Sequence, residues 1–209
     1  MATASSLSAF FTQPAAAFAK PSQQDAQRNL LIIHVDNLEN DHPRLISVWS
    51  MFTITSEQTF ITLKPLYPAT VPDPALSELT STFKLNAKKH PSSKFLKALH
   101  AFHLTWDGYL IIDDQGMLAM HQWLAGSVGA SSIAQPLDNP ELLIQQEVTL
   151  LNGICRGLSR AGSWPHKSTE WQSISPRHFI TNLKMNNLMT HWHNLNQASQ
   201  TPVCNVFSR

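Results

Sequence analysis

Leu30-Leu31-Ile32-Ile33-His34-Val35, closed by Asp36-Asn37, decides the fold. The run is short, apolar and rich in β-branched residues, and a polar turn ends it. That combination predicts a buried strand. Two more apolar runs follow closely. Leu45 to Ile54 ends at Thr55-Ser56-Glu57, and Thr59 to Leu63 alternates Phe60 and Thr62 with Ile61 and Leu63. Their spacing predicts a hairpin. Further on, helical patterns alternate with another short strand. Ser92 to His103 places Phe95, Leu99 and Phe102 on one face, with Ser92 or Ser93 as cap. Tyr109 to Ile112 reads as a strand, and Asp113 or Asp114 caps a helix that runs to Ala125.

The clearest helix begins at Asn139, a capping residue, with Pro140 in the first turn and Glu141 at the positive end of the dipole. Ile144, Val148, Leu151, Cys155 and Leu158 form its buried stripe, and Gly162 ends it. A last helix is expected over 182–195, with Met185, Leu188, Met189, Trp192 and Leu195 inward. Residues 65–80, with Pro65, Pro68, Pro72 and Pro74, read as a loop, as do 127–138 and 163–176. Strands followed by helices give an α/β fold, and the hairpin makes its sheet mixed rather than parallel. The expected architecture is a mixed central sheet flanked by helices in three α-β-α layers. Residues 1–28 read as a tail or linker, 29–196 as the domain, and 197–209 as a tail or final strand.

Composition narrows the function. The chain has 209 residues, 43% hydrophobic and 14% charged, against about 25% charged in ordinary soluble proteins. Net charge is +1 and no basic tract stands out, so nothing predicts nucleic-acid binding. No run of about 18 apolar residues predicts a transmembrane helix. Ala17-Phe18-Ala19 has the form of a signal cleavage site, but residues 1–16 carry no Lys or Arg. Cys155 and Cys204 fit no metal or redox motif. A buried thiol is the favoured reading of Cys155, with a disulfide open if the protein is exported. No Gly-rich phosphate loop and no Gly-x-Ser-x-Gly elbow is present. His191 and His193 lie on different sides of the expected last helix, whereas His100 and His103 could share a metal but lack a third ligand. The methionines, among them Met117 and Met120, read as core more readily than as the lining of a lipid cavity.

Several segments, in order, resemble the LytR-CpsA-Psr domain. Leu30 to Asp36 is similar to that family's first strand with its Gly-x-Asp-like turn. Arg44-Leu45-Ile46-Ser47 resembles its Arg-Ser-Asp-Thr motif, and Leu66-Tyr67-Pro68-Ala69-Thr70 its Ser-Ile-Pro-Arg-Asp. Ala125-Gly126-Ser127-Val128 resembles a Gly-Gly-Val helix end. Asp138 to Glu147 is similar to a helix carrying Asp-x-x-Arg-x-x-Arg-Gln-Gln-Glu, with Gln145-Gln146-Glu147 intact, and Thr181-Asn182-Leu183-Lys184 to a Thr-Asn-Leu-Ser helix start.

The resemblance implies a scaffold that moves glycopolymers from a polyprenyl-pyrophosphate carrier to the cell wall outside the cytoplasm. It also implies an apolar lipid pocket between sheet and helices, arginines on the pyrophosphate and acidic residues on a divalent metal, Mg²⁺ if the domain is active. The departures fall on those charges. Ile46 stands for an Asp, Ala69 and Thr70 for an Arg and an Asp, and Glu141 and Ile144 for two arginines. Asp36, Arg44, Gln145 and Gln146 remain as substrate-binding candidates, with Asp36 also the one metal candidate. Asp36 and Arg44 also have plain readings as a turn and a surface residue, and the two glutamines as polar helix positions.

Losing one positioned charge in such a reaction costs about two to three orders of magnitude in rate. The expectation is therefore a degenerate, non-catalytic domain that binds a polyprenyl-phosphate lipid or a partner protein at the envelope. The alternatives are an active phosphotransferase and an unrelated α/β interaction domain.

Overall fold

The computed structural model describes residues 26–55, 58–68, 74–100, 102–125, 139–158, 177–184 and 201–208. Six strands form one sheet: β1 (Ala26–Val35), β2 (Leu45–Thr55), β3 (Thr59–Tyr67), β4 (Gly108–Asp113), β5 (Phe179–Thr181) and β6 (Val203–Val206). Their order is β5-β4-β1-β2-β3-β6. β1, β2 and β3 pair antiparallel in succession, as the spacing of their apolar runs predicts. β4 lies parallel to β1, and β6 parallel to β3. The sheet is mixed, as expected.

The period-two alternation of the strands sorts their side chains onto two helical layers. Leu31, Ile33 and Val35 of β1, Val48 of β2 and Ile111 of β4 face one core with α1 (Pro74–Thr82) and α2 (Ser93–His100). Ile32, Trp49 and Ile112 face the other, with α3 (Asp114–Ala125) and α4 (Pro140–Leu158). The three-layer expectation holds. Met117 is buried in the second core and Met120 packs on it, so both methionines are core.

The caps are those the sequence offers. The Phe95 amide donates to Ser92 Oγ, the Glu141 amide to Asn139 Oδ1 and the Gly116 amide to Asp113 Oδ1. α4 runs alongside α3 in the same direction. Gly153 lies against His121 and Gly157 against Leu124, and a Cβ on Gly157 would stand 2.2 Å from the Leu124 carbonyl oxygen. Only glycine admits so close a crossing.

Three expectations need correction, and one short strand went unread. Residues 65–80 are not one loop: β3 continues to Tyr67, and Pro74 starts a helix, where its missing N–H costs nothing. Buried Leu79 and Phe83 give that segment its core contact. Residues 179–181 form a strand inside a stretch that carries no readable strand pattern. β5 is only three residues long, and it is fixed by pairing with β4 and by Thr181 Oγ1 donating to the Tyr109 carbonyl. Asn182 to Lys184 are not helical: Asn182 Oδ1 instead accepts from the Tyr109 amide. The rest of the expected last helix lies outside the described residues, as do the 127–138 loop and the 163–176 connection. Finally, Cys155 is not a thiol. It is joined to Cys204 in a disulfide that ties α4 to β6.

That bond closes a loop across a sequence separation of 49 residues. Chain-entropy arithmetic for such a loop gives about 4 kcal/mol of stabilisation. Reduction should therefore lower the free energy of unfolding by about that amount, with a larger m-value because the reduced unfolded chain is less constrained. Free-thiol titration of the unreduced, denatured chain should find no thiol.

Candidate functional site

The carboxyl ends of the parallel strands β1 and β4 lie side by side, with Val35 opposite Asp113. In open α/β sheets such strand ends are where ligands collect. Four acidic side chains gather around this end. Asp36 follows β1, Asp113 ends β4, Asp114 starts α3, and Glu147 reaches in from α4.

Asp36 and Arg44 are brought together. Arg44 Nε lies 3.1 Å from Asp36 Oδ2, and the Arg44 and Asn37 amides donate to Asp36 Oδ1 at 2.8 and 2.7 Å. The turn reading of Asp36 and the phosphate reading of Arg44 are thus compatible, because the carboxylate shapes the loop and aims the guanidinium. The Arg44 side chain is 60% exposed. Asp36 does not suit a metal. Its oxygens are committed to a cation and two amides, and its expected acidic partner is Ile46, buried in the core.

Asp113 is buried and anchors the neighbouring loops. It accepts from the Leu38 amide, caps α3 through the Gly116 amide and lies 3.0 Å from His178 Nδ1. Gln145 is exposed on α4 and Gln146 half-buried. Neither reaches the Asp36–Arg44 pair in a contact among the described residues.

The strongest feature of the site was not singled out by the sequence. His34 is wholly buried between two carboxylates. Its Nδ1 lies 2.6 Å from Glu147 Oε1, and its Nε2 lies 3.0 Å from Asp114 Oδ1. Trp49 Nε1 donates to Glu147 Oε2 and, at 3.1 Å, to Ser47 Oγ. The histidine thus joins β1 to α3 and α4, and the tryptophan extends the network to β2. One signal was available. His34 is the one polar residue in an otherwise apolar run, and a buried polar group must find a partner.

Burial is the largest single influence on His34, and it disfavours the imidazolium. The carboxylates of Asp114 and Glu147 together outweigh it and raise the pKa from 6.5 to about 9. His121 moves the other way, lowered by burial and by the charge of Arg156.

No family model matches the sequence, and no curated protein matches it. Solved structures do share its fold. A LytR-Csp2A-Psr enzyme from Actinomyces oris is 10% identical, with 86% of this chain and 79% of that one aligned at a TM-score of 0.50. The Lin1025 protein from Listeria innocua is 7% identical, with 88% and 84% covered, also at 0.50.

Linkage gives the pH response. The raised pKa of His34 adds stability that is fully present below pH 6.5 and is lost as pH rises through about 9. The span corresponds to a loss on the order of 3 kcal/mol. The lowered pKa of His121 acts in the opposite sense, adding stability above 6.5 that is lost as pH falls. Urea unfolding in EDTA-containing buffer should therefore show greatest stability near neutrality. His34→Gln should flatten the alkaline limb selectively. Taken together, sheet order, layers and structural likeness give this chain the LytR-CpsA-Psr fold.

Proposed function

We propose that this chain is a non-catalytic LytR-CpsA-Psr-like module that binds the phosphate head of a polyprenyl-phosphate lipid at the cell envelope. The observation carrying this reading is the exposed Arg44 guanidinium, held by Asp36 at the carboxyl end of the parallel strands. A guanidinium presents a fork that matches two phosphate oxygens.

The charge inventory argues for binding over transfer. Separating a pyrophosphate requires positioned cations or a metal to take up developing negative charge. At the positions where the resemblance calls for an Asp and an Arg, Ile46 and Ile144 are 7% and 2% exposed and serve the core. Asp113, Asp114 and Glu147 add negative charge at the same strand ends. Among the described residues, one arginine at this end and no fitting Mg²⁺ site leave enough for a phosphate contact and too little for chemistry. The Cys155–Cys204 disulfide supports an oxidising, extracytoplasmic setting. Among the described residues no helix is long and apolar enough to cross a membrane.

The full chain should bind polyprenyl phosphate in nanodiscs equally with Mg²⁺ and with EDTA. Arg44→Ala should weaken binding roughly ten- to a hundredfold, the loss of one charge-assisted contact. Incubation with polyprenyl-pyrophosphate-linked glycan and cell-wall acceptor should give no product. Mg²⁺-dependent product would show an active phosphotransferase instead. Failure to bind the lipid at all would leave an α/β module that recognises a partner protein.

A further inference from the structure

We propose that the outer face of α2, with the lysine-bearing loop before it, docks the domain on the surface of an anionic lipid bilayer. The proposal stands apart from the polyprenyl-phosphate reading and uses none of its residues.

Charge in this chain is segregated. Between Glu78 and Asp107 there is no acidic residue, while Lys84, Lys88, Lys89, Lys94 and Lys97 all fall in that stretch. Its formal charge is +5 in a chain whose total is +1, so the remainder is net acidic. The lysines come singly or as one pair, and no continuous basic tract is visible in the sequence. The fold gathers them. The Ser92 amide donates to the Lys84 carbonyl at 2.8 Å and Leu85 bridges to Pro91, which brings Lys84 to the first turn of α2. The Asn86 side chain closes the loop between them by accepting from the Lys88 and His90 amides. On α2 itself Phe95, Ala98 and Leu99 are buried, and Ser93, Lys94, Lys97 and His100 are exposed. The helical repeat puts Ser93, Lys97 and His100 in one outward row, with Lys94 on its flank.

These cations are uncompensated. Lys89 Nζ donates to the Asn40 carbonyl, and among the described residues no ion pair engages Lys84, Lys88, Lys94 or Lys97. Of the two acids that bracket the stretch, Asp107 is engaged by Arg28 and by the Asn29 amide, and Glu78 is exposed on α1. An ordinary solvated surface intersperses both signs, whereas a face of one sign draws a partner of the other.

The residue types favour a bilayer as that partner. All five cations are lysines, point charges on long apolar stems. None is an arginine, whose planar fork suits a discrete phosphate or a base edge. Apolar groups stand among them. Leu96 and Trp106 pack on the core from outside and remain partly open, and the Trp106 ring stacks on His100 with centroids 4.3 Å apart. A headgroup layer accommodates this mixture, with ammonium groups among the phosphates and an indole at the interface.

The test is cosedimentation of the full chain, in EDTA, with vesicles that contain no polyprenyl phosphate. Vesicles of equal parts phosphatidylcholine and phosphatidylglycerol should bind the chain, pure phosphatidylcholine should not, and added salt should weaken the binding. Replacing Lys94 and Lys97 together by Gln should weaken it roughly 25-fold, about fivefold for each lysine near the surface. Both side chains are exposed, so thermal unfolding should be unchanged. Arg156→Gln with Lys184→Gln removes the same charge outside this layer and should cost at most about twofold. Brominated lipid should quench a part of the tryptophan fluorescence that Trp106→Phe lacks. Equal binding to neutral vesicles, or an equal loss in the Arg156 and Lys184 variant, overturns the proposal. So does tighter binding to soluble polyglutamate than to vesicles, which would show an acidic polymer as the partner. Loss of vesicle binding in Arg44→Ala would overturn it too, by moving the contact to the other site. Failure of the α2 face leaves polyprenyl-phosphate binding through Arg44 untouched.

Discussion

The contact between His34 on β1 and Glu147 on α4 is the constraint around which this domain is arranged. Both side chains are almost completely removed from water. A buried carboxylate without a partner would cost several kcal/mol, so the pair has to meet with good geometry or the layers cannot close. That requirement sets the position of α4 along the sheet. The apolar stripe of α4 supplies the adhesion, but a stripe can slide by a turn with little penalty. A buried imidazole–carboxylate contact cannot. Trp49 adds a second fixed point by donating to the same carboxylate from β2.

Other features of the α4 layer agree with that placement. Gly153 and Gly157 let α3 approach α4 at backbone distance, which brings the start of α3, and with it Asp114, to the other nitrogen of His34. Cys155 lies one turn above Leu151 on the buried stripe and fastens α4 to β6. A short edge strand such as β6 has few hydrogen bonds of its own, so the covalent tie and its pairing with β3 act together. The helix is thus held at its middle by a close crossing and a disulfide, and at its first turns by charge.

Much of the scaffold was legible because it rests on local pattern. The run from Leu30 to Val35, the two closely spaced runs after it and the stripe of α4 each carry their own periodicity. Asn139, Ser92 and Asp113 carry their own capping chemistry. What was illegible depends on distant partners. β5 is three residues whose strand character comes from β4, and α1 was hidden by prolines that mark a helix start as readily as a loop. The Cys155–Cys204 bond could be named only as a possibility, since two cysteines say nothing about distance. The site divides in the same way. Asp36 and Arg44 were found because they are near in sequence and stand in a recognisable series. His34, Asp114 and Glu147 belong to three separate elements, and each had an innocuous local explanation as strand, cap or helix position.

The two ends of β1 chemistry also explain each other. Asp36 is spent on Arg44 and the loop that carries it, so it leaves no strong metal ligand on the exposed side. Two residues earlier, on the buried side, His34 has a carboxylate at each nitrogen. A phosphate approaching this end of the sheet meets a cation outside and net negative charge within. On the proposed reading such an arrangement would hold a phosphate at the rim and resist its entry. For a transferase that is a fault, because the reacting bond must pass inside where charges can act in a dry setting. For a module that has only to hold a headgroup it is an advantage, because the lipid's phosphate stays at the surface.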